Sequence, residues 1–324
     1  MQLSARLTFD NNYALRPENP HQDSPTKPEP YVVSPELKKA VNLAIYLRRP
    51  LLLEGDAGCG KTRLASAVAY ELGLPLYRWD IHSTTKAQDG LYEYDAILRL
   101  HDVQTQKVQP PLPVSAAKTN EEEDEENINR NPANPKHYRK FGALGKAFRL
   151  KDCEAVVLID EIDKGGLDFP NDLLAVLDEP WAFKIKETGE TITATHKPIV
   201  IITSNKEKGN LPAPFLRRCL YHYVDFPNDP KRLREIVEKH YEICGEALES
   251  NLVEAATERF LKIWNEGGLH KPPGTSELLD WLKALHTFES KPYSAKQLKK
   301  DQVLPYRELL FKLRQDWIKS AQVS

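Results

Sequence analysis

With 324 residues, 40% of them hydrophobic, the chain is long enough to bury one large core and a smaller second one. Its 45 basic and 47 acidic side chains leave a formal charge of −2, so there is no global basic field, and nucleic acid is not an expected partner. Four dispersed cysteines, Cys59, Cys153, Cys219 and Cys244, form no C-x-x-C pair and indicate neither a zinc site nor a disulfide framework; no apolar run reaches the ~20 residues of a membrane span. The amino terminus lacks the charged-then-apolar layout of a secretory signal, and a cytoplasmic setting is expected.

Residues 1–30 are polar and contain Pro17, Pro20, Pro25, Pro28 and Pro30, which disfavour regular structure, so a flexible tail that drapes or stays mobile is expected there. An α/β domain is expected over residues 31–228. Its first helix is announced by Ser34 as a cap, Pro35 in the first turn and Glu36 near the positive end, with Leu37, Ala40, Val41, Ala44 and Leu47 at helical spacing. Leu51-Leu52-Leu53 then reads as a strand. Directly after it, Gly55-Asp56-Ala57-Gly58-Cys59-Gly60-Lys61-Thr62 fits the phosphate-loop pattern G-x-x-x-x-G-K-[ST], and Leu64-Ala65-Ser66-Ala67-Val68-Ala69 is helix-like. The glycines let the backbone turn tightly and aim its N–H groups at phosphate oxygens, and the new helix adds the positive end of its dipole. Lys61 is placed to reach the β- and γ-phosphates and Thr62 to hold Mg²⁺. A nucleotide is the expected ligand.

Gly73 closes that helix, and Leu76 to Ile81 reads as a second strand. Residues 104–137 hold five prolines around the acidic run Glu121 to Glu126 and are expected to be a disordered, solvated insertion. Ala155-Val156-Val157-Leu158-Ile159 has the unbroken apolar character of a central strand and ends in Asp160-Glu161-Ile162-Asp163. At such a strand end Asp160 can hold the hydration shell of Mg²⁺, and Glu161 can face a water attacking the γ-phosphate. The next apolar run, Ile199 to Ile202, leads to Asn205, whose amide can orient that water or simply close the strand as an Asx turn. Lys208 stands where a guanine-reading Asn-Lys-x-Asp element needs aspartate, so a GTPase switch is not expected. Arg217 and Arg218 follow in Leu211-Pro212-Ala213-Pro214-Phe215-Leu216-Arg217-Arg218, with a charge suited to a transferring phosphoryl group and free to act from a neighbouring subunit. From residue 229 to 324 only helical patterns remain, with starts at Asp229-Pro230, Ser250 and Thr275-Ser276. The expected fold is thus a P-loop NTPase three-layer αβα sandwich with a mostly parallel sheet, followed by a small all-α lid domain.

The order of strand, phosphate loop, Asp-Glu strand, Asn strand, arginines and helical lid resembles the AAA+ ATPases, and finer details over about residues 31–290 resemble their MoxR branch. Aligning Leu-Pro-x-x-x-Leu-x-Arg puts Arg218 at the family's arginine finger, with Arg217 beside it. The alternation of Trp181, Phe183 and Ile185, then Ile192 and Ala194, reads as a β-hairpin over residues 178–198, similar to the one inserted in helix 2 of this clade. Pro272 to Trp281 is similar to the lid signature of CbbQ- and NorQ-type activases. The resemblance implies an ATPase using ATP and Mg²⁺, a homo-oligomeric, hexameric ring, and chaperone-like remodelling of a partner such as a von Willebrand factor A domain protein. It also implies a sensor arginine at the lid-helix start, where this chain has Glu277 and Leu278, with Lys271 as a substitute candidate. Tyr92 and Tyr94 fall where related proteins project a pore loop, although alternating tyrosines more often pack.

Two other classes share this core. A nucleic-acid motor or loader would add a basic groove or a helix-turn-helix module, and neither is legible here. A non-hydrolysing ATP-binding adaptor would have no use for the pair Glu161 and Asn205.

Overall fold

A computed structural model describes residues 7–108, 130–205, 211–246, 248–301 and 303–322. In chain order these begin with α1 (Pro35–Leu47), β1 (Leu51–Glu54), α2 (Lys61–Leu72), β2 (Leu76–Asp80), β3 (Tyr92–Tyr94), α3 (Ala96–Val108), β4 (Arg139–Phe141) and α4 (Ala143–Arg149). There follow β5 (Val156–Asp160), α5 (Phe169–Leu177), β6 (Ala182–Lys184), β7 (Thr191–Thr193), β8 (Ile199–Ser204), α6 (Ala213–Arg218) and β9 (Leu220–Tyr223). The rest is helical: α7 (Pro230–Cys244), α8 (Ser250–Glu266), α9 (Thr275–Thr287), α10 (Ala295–Lys300), α11 (Arg307–Leu310) and α12 (Arg314–Gln322).

The central sheet has the order β2-β5-β8-β1-β9, with every pairing parallel. Strand periodicity divides its side chains between two cores. Leu52, Val157, Ile159, Val200 and Ile202 face one side, with α4 and α5 residues such as Phe148 and Leu173. Leu51, Leu53, Val156, Leu158, Ile199 and Ile201 face the other, with α1 and α2. β1, β5 and β8 are therefore buried along their whole length, which is why they read as unbroken apolar runs, whereas edge strands β2 and β9 mix half-buried and exposed positions. Ser34 caps α1, its hydroxyl accepting from the Leu37 N–H at 3.1 Å.

Two expectations require correction. Residues 7–30 do not form a flexible tail. Phe9 is fully buried in the α1–α2 core, worth roughly 1.5–3 kcal/mol, and the buried Glu71 carboxylate accepts the backbone N–H groups of Asp10 and Asn12 at 2.6 and 2.7 Å. The segment holds one short 3-10 turn, Tyr13–Leu15, and otherwise drapes over α2, with the His21 N–H on the Gly73 carbonyl at 2.9 Å. The insertion is also shorter than expected: α3 continues to Val108, and Arg130 to Tyr138 pack back on it through Arg130 to Asp102 (3.1 Å) and Tyr138 to Asp102 (2.9 Å). The acidic run Glu121 to Glu126 lies outside the described residues.

The hairpin between residues 178 and 198 is β6–β7, antiparallel with Phe183 opposite Ile192. It is pinned to the small β3–β4 ribbon. Tyr92 stacks on Phe183 with ring centroids 6.0 Å apart and accepts the Lys186 N–H at 3.0 Å, while Arg139 holds Glu190 at 2.6 Å. Tyr92 is thus a buried packing residue, and the Tyr94 hydroxyl takes a 2.8 Å hydrogen bond from Arg99. Helices α7–α12 enclose a third core around fully buried Trp281, whose indole N–H reaches the Pro305 carbonyl at 2.7 Å.

Candidate nucleotide and metal site

β1 delivers the chain from the buried sheet into the Gly55–Thr62 loop at the carboxyl ends of the strands, where ligands gather in open α/β sheets. Gly60 lies at φ +86°, immediately before α2, in the left-handed region that a side chain would resist. The start of the 12-residue α2 therefore faces the loop with its first N–H groups and its positive dipole end. Lys61 is only 5% exposed. Its ammonium folds back onto the loop, donating to the Gly55 and Asp56 carbonyls at 2.7 Å each. Those two bonds keep a buried cation satisfied, and an anion bound at the loop would exchange with them.

Asp160 ends β5 and is 4% exposed. Its Oδ1 accepts from the Thr62 hydroxyl at 2.9 Å and from the Thr203 hydroxyl at 2.6 Å, and its Oδ2 accepts from the Arg78 guanidinium at 2.8 Å. The next residue, Glu161, has φ +59°, a left-handed conformation unusual for a side chain of this size. Its N–H is anchored on the Thr203 hydroxyl at 2.8 Å. The turn sends the two consecutive acids in different directions, so that Glu161 meets the Asn205 amide, which donates to Oε1 at 3.1 Å, while Lys164 reaches Oε2 at 2.6 Å. The Asn205 N–H donates to the Asp163 carboxylate at 3.1 Å, which fixes the backbone at the end of β8.

Thr62 and Asp160 offer a hydroxyl and a carboxylate 2.9 Å apart beside the phosphate loop. That hard-oxygen pair fits Mg²⁺, which takes one or two protein oxygens and fills its octahedron with water and substrate phosphate rather than a protein cage. Among the described residues there is no cluster of three or more His, Cys, Asp or Glu side chains that could form such a cage.

Arg217 and Arg218 are not brought to this site. β9 runs parallel to β1 with Leu51 opposite Leu220 and Glu54 opposite Tyr223, so the arginines precede the amino end of β9 while the phosphate loop follows the carboxyl end of β1. Four strand residues, about 13 Å, separate the two levels. Arg49, just before β1, donates to the Arg218 carbonyl at 3.0 Å and also to that of Arg217. The Arg218 guanidinium rests on Asp178 at 2.8 Å. Both partners are close to half exposed, so the pair contributes little and is readily exchanged.

Sequence reasoning missed a cavity of about 510 Å³ that opens beside Cys59 and Gly60, between Tyr31, the end of β9 and the lid helices α7 and α9. His222 and His240 line it, and burial lowers the pKa of both, favouring neutral rings that suit an uncharged heteroaromatic group. The lid closes directly on the loop. The Thr275 hydroxyl donates to the Gly58 carbonyl, and a Cβ on Gly274 would come within 3.0 Å of the Ala57 carbonyl oxygen. Where the resemblance implied a sensor arginine, Glu277 accepts the Gly274 N–H at 3.0 Å, and Leu278 is buried in the third core. Lys271 is exposed, and its N–H is taken by Asp316 at 3.1 Å.

A model of the family described as AAA domain (Cdc48 subfamily) matches residues 49–222, more than half of the chain. Among solved structures, the chain is similar to the crystal structure of domain III from the Thermotoga maritima replication initiation protein DnaA, with 16% identity and a TM-score of 0.46 over 93% of this chain and 99% of that one. That likeness is too remote to carry fold or function across. No curated protein matches the sequence.

Proposed function

Because the chain belongs to the AAA domain family, Cdc48 subfamily, we propose that it is a Mg²⁺-dependent ATPase of the MoxR type, assembled as a homo-oligomeric, hexameric ring that remodels or activates a protein partner in the cytoplasm. The observation that carries this reading is Glu161, turned away from Asp160 by its own left-handed backbone and held on Asn205 at 3.1 Å beside a complete phosphate loop. A binding-only site has no need of a positioned base.

In the reaction so proposed, the oxygen of a water molecule bonds to the γ-phosphorus as the bond from that phosphorus to the β–γ bridging oxygen breaks, giving ADP and phosphate. Glu161 takes the water's proton, and Asn205 holds the glutamate in position to do so. Lys61 releases its two carbonyl partners to meet the β- and γ-phosphates, whose negative charge exceeds that of any carbonyl dipole. Thr62 and Asp160 would hold the metal, which supplies charge neutralisation at the phosphates when bound. The cavity lined by His222 and His240 takes the base. Arg218, too far from its own phosphate loop, serves a neighbouring copy, which is what makes the ring necessary.

The partner class follows from the MoxR resemblance, a von Willebrand factor A domain protein being the expected type. Among the described residues no helix is long and apolar enough to cross a membrane. The pinned β6–β7 hairpin offers a rigid feature for docking.

Replacing Lys61 by Ala tests the reading at its root. Equilibrium binding of a fluorescent ATP analogue should fall by a factor of ten or more, since a buried charge-assisted contact is lost. Unchanged affinity would remove the loop from the nucleotide site.

A further inference from the structure

β2 is an edge strand, and its residues alternate: Tyr77 and Trp79 pack on one core, while Arg78 and Asp80 share the opposite face. In the parallel register Asp80 lies directly beside Asp160. Arg78 bridges the two acids, with Nε on Asp80 at 2.7 Å and a terminal nitrogen on Asp160 Oδ2 at 2.8 Å. Asp160 is nearly enclosed, whereas Arg78 and Asp80 are both half exposed.

This arrangement divides the duties of the Asp160 carboxylate. Oδ1 shares Thr62 with the place a cation would take, so its hydrogen bonds are the ones that change on metal binding. Oδ2 is fixed from the edge strand, independently of the phosphate loop. A lone guanidinium there would draw charge from the carboxylate and repel a cation. Asp80 offsets that charge, so Asp160 receives a rigid planar donor and keeps its own negative charge for the metal.

We propose that Arg78, neutralised by Asp80, is a positioning residue for the metal-holding carboxylate and sets the Mg²⁺ concentration at which the protein binds nucleotide. The inference rests on the ATPase reading of the same site. Outer hydrogen-bond partners of this kind typically change metal affinity by about 10–100-fold when removed.

The test is the Mg²⁺ dependence of binding of a fluorescent, non-hydrolysable ATP analogue to the full chain, with a parallel titration in EDTA. Arg78→Ala is expected to raise the Mg²⁺ midpoint about tenfold or more and to leave the EDTA affinity as in the unmodified protein. Asp80→Asn is expected to raise the midpoint as well, because the guanidinium charge then faces the cation uncompensated. A merely structural role would move both titrations together and overturn the proposal, and Arg78→Met, which keeps an unbranched stem but has no hydrogen-bond donor, serves if the alanine variant does not fold. A midpoint that falls in Arg78→Ala would make Arg78 a competitor of the metal and overturn the proposal, as would a midpoint unchanged in both variants. The absence of any Mg²⁺ response in the unmodified protein would instead overturn the ATPase reading.

Discussion

Glu161→Gln is expected to bind ATP as tightly as the unmodified protein and to turn it over about 10²–10⁴-fold more slowly. The amide has nearly the shape of the carboxylate and can still pair with Asn205, which contacts Glu161 Oε1 at 3.1 Å. It cannot accept the proton of the attacking water. The strained turn at φ +59° is set by the Thr203 hydroxyl on the backbone N–H, which the substitution does not touch, so the fold and the placement of Asp160 should be preserved. Steady-state phosphate release together with equilibrium nucleotide binding separates the two effects. Turnover that survives intact would remove Glu161 from the chemistry.

Arg218→Ala is expected to lower turnover by about 10³-fold or more with ATP affinity little changed, the size of effect associated with an arginine supplied to a phosphoryl group from outside. Loss of the Asp178 pair cannot account for such a change, because an exposed pair of this kind is worth at most about 1 kcal/mol of stability. The decisive form of the experiment mixes two inactive proteins. Arg218→Ala subunits keep Glu161, and Glu161→Gln subunits keep Arg218, so a mixed ring contains some interfaces with both groups intact. Recovered turnover in the mixture assigns Arg218 to its neighbour's site; a mixture as inactive as its components contradicts that. Repeating the mixing with Arg217→Ala distinguishes the two adjacent arginines.

The three inner strands and the phosphate loop were legible because their signals are local. A strand buried on both faces must be apolar at every position, as Leu51–Leu53 and Val156–Ile159 are. A loop that wraps phosphate must also carry glycine and lysine at fixed spacing. Asp160, Glu161 and Asn205 were legible for the same reason, each lying at a predicted strand end.

What stayed hidden depends on register between distant segments. Thr203 looked like part of a strand terminus, yet its hydroxyl serves both Asp160 and the Glu161 backbone. Arg78 and Asp80 sat inside an ordinary mixed strand, and only the β2–β5 pairing brings them to Asp160. Phe9, in a polar, proline-interrupted segment, carried no periodic signal of the core it fills. The cavity at Tyr31, His222 and His240 is assembled from the amino-terminal segment, the last strand and the lid, which no single stretch of sequence predicts.

The central claim is that each active site is completed by a neighbouring copy. ATP hydrolysis per subunit, measured in Mg²⁺ as protein concentration rises from nanomolar to tens of micromolar, tests it most directly. The account predicts a steep rise coinciding with the appearance of the assembled species in sizing experiments with ATP. A measurable rate that stays flat across the range, with the protein monomeric throughout, would contradict it.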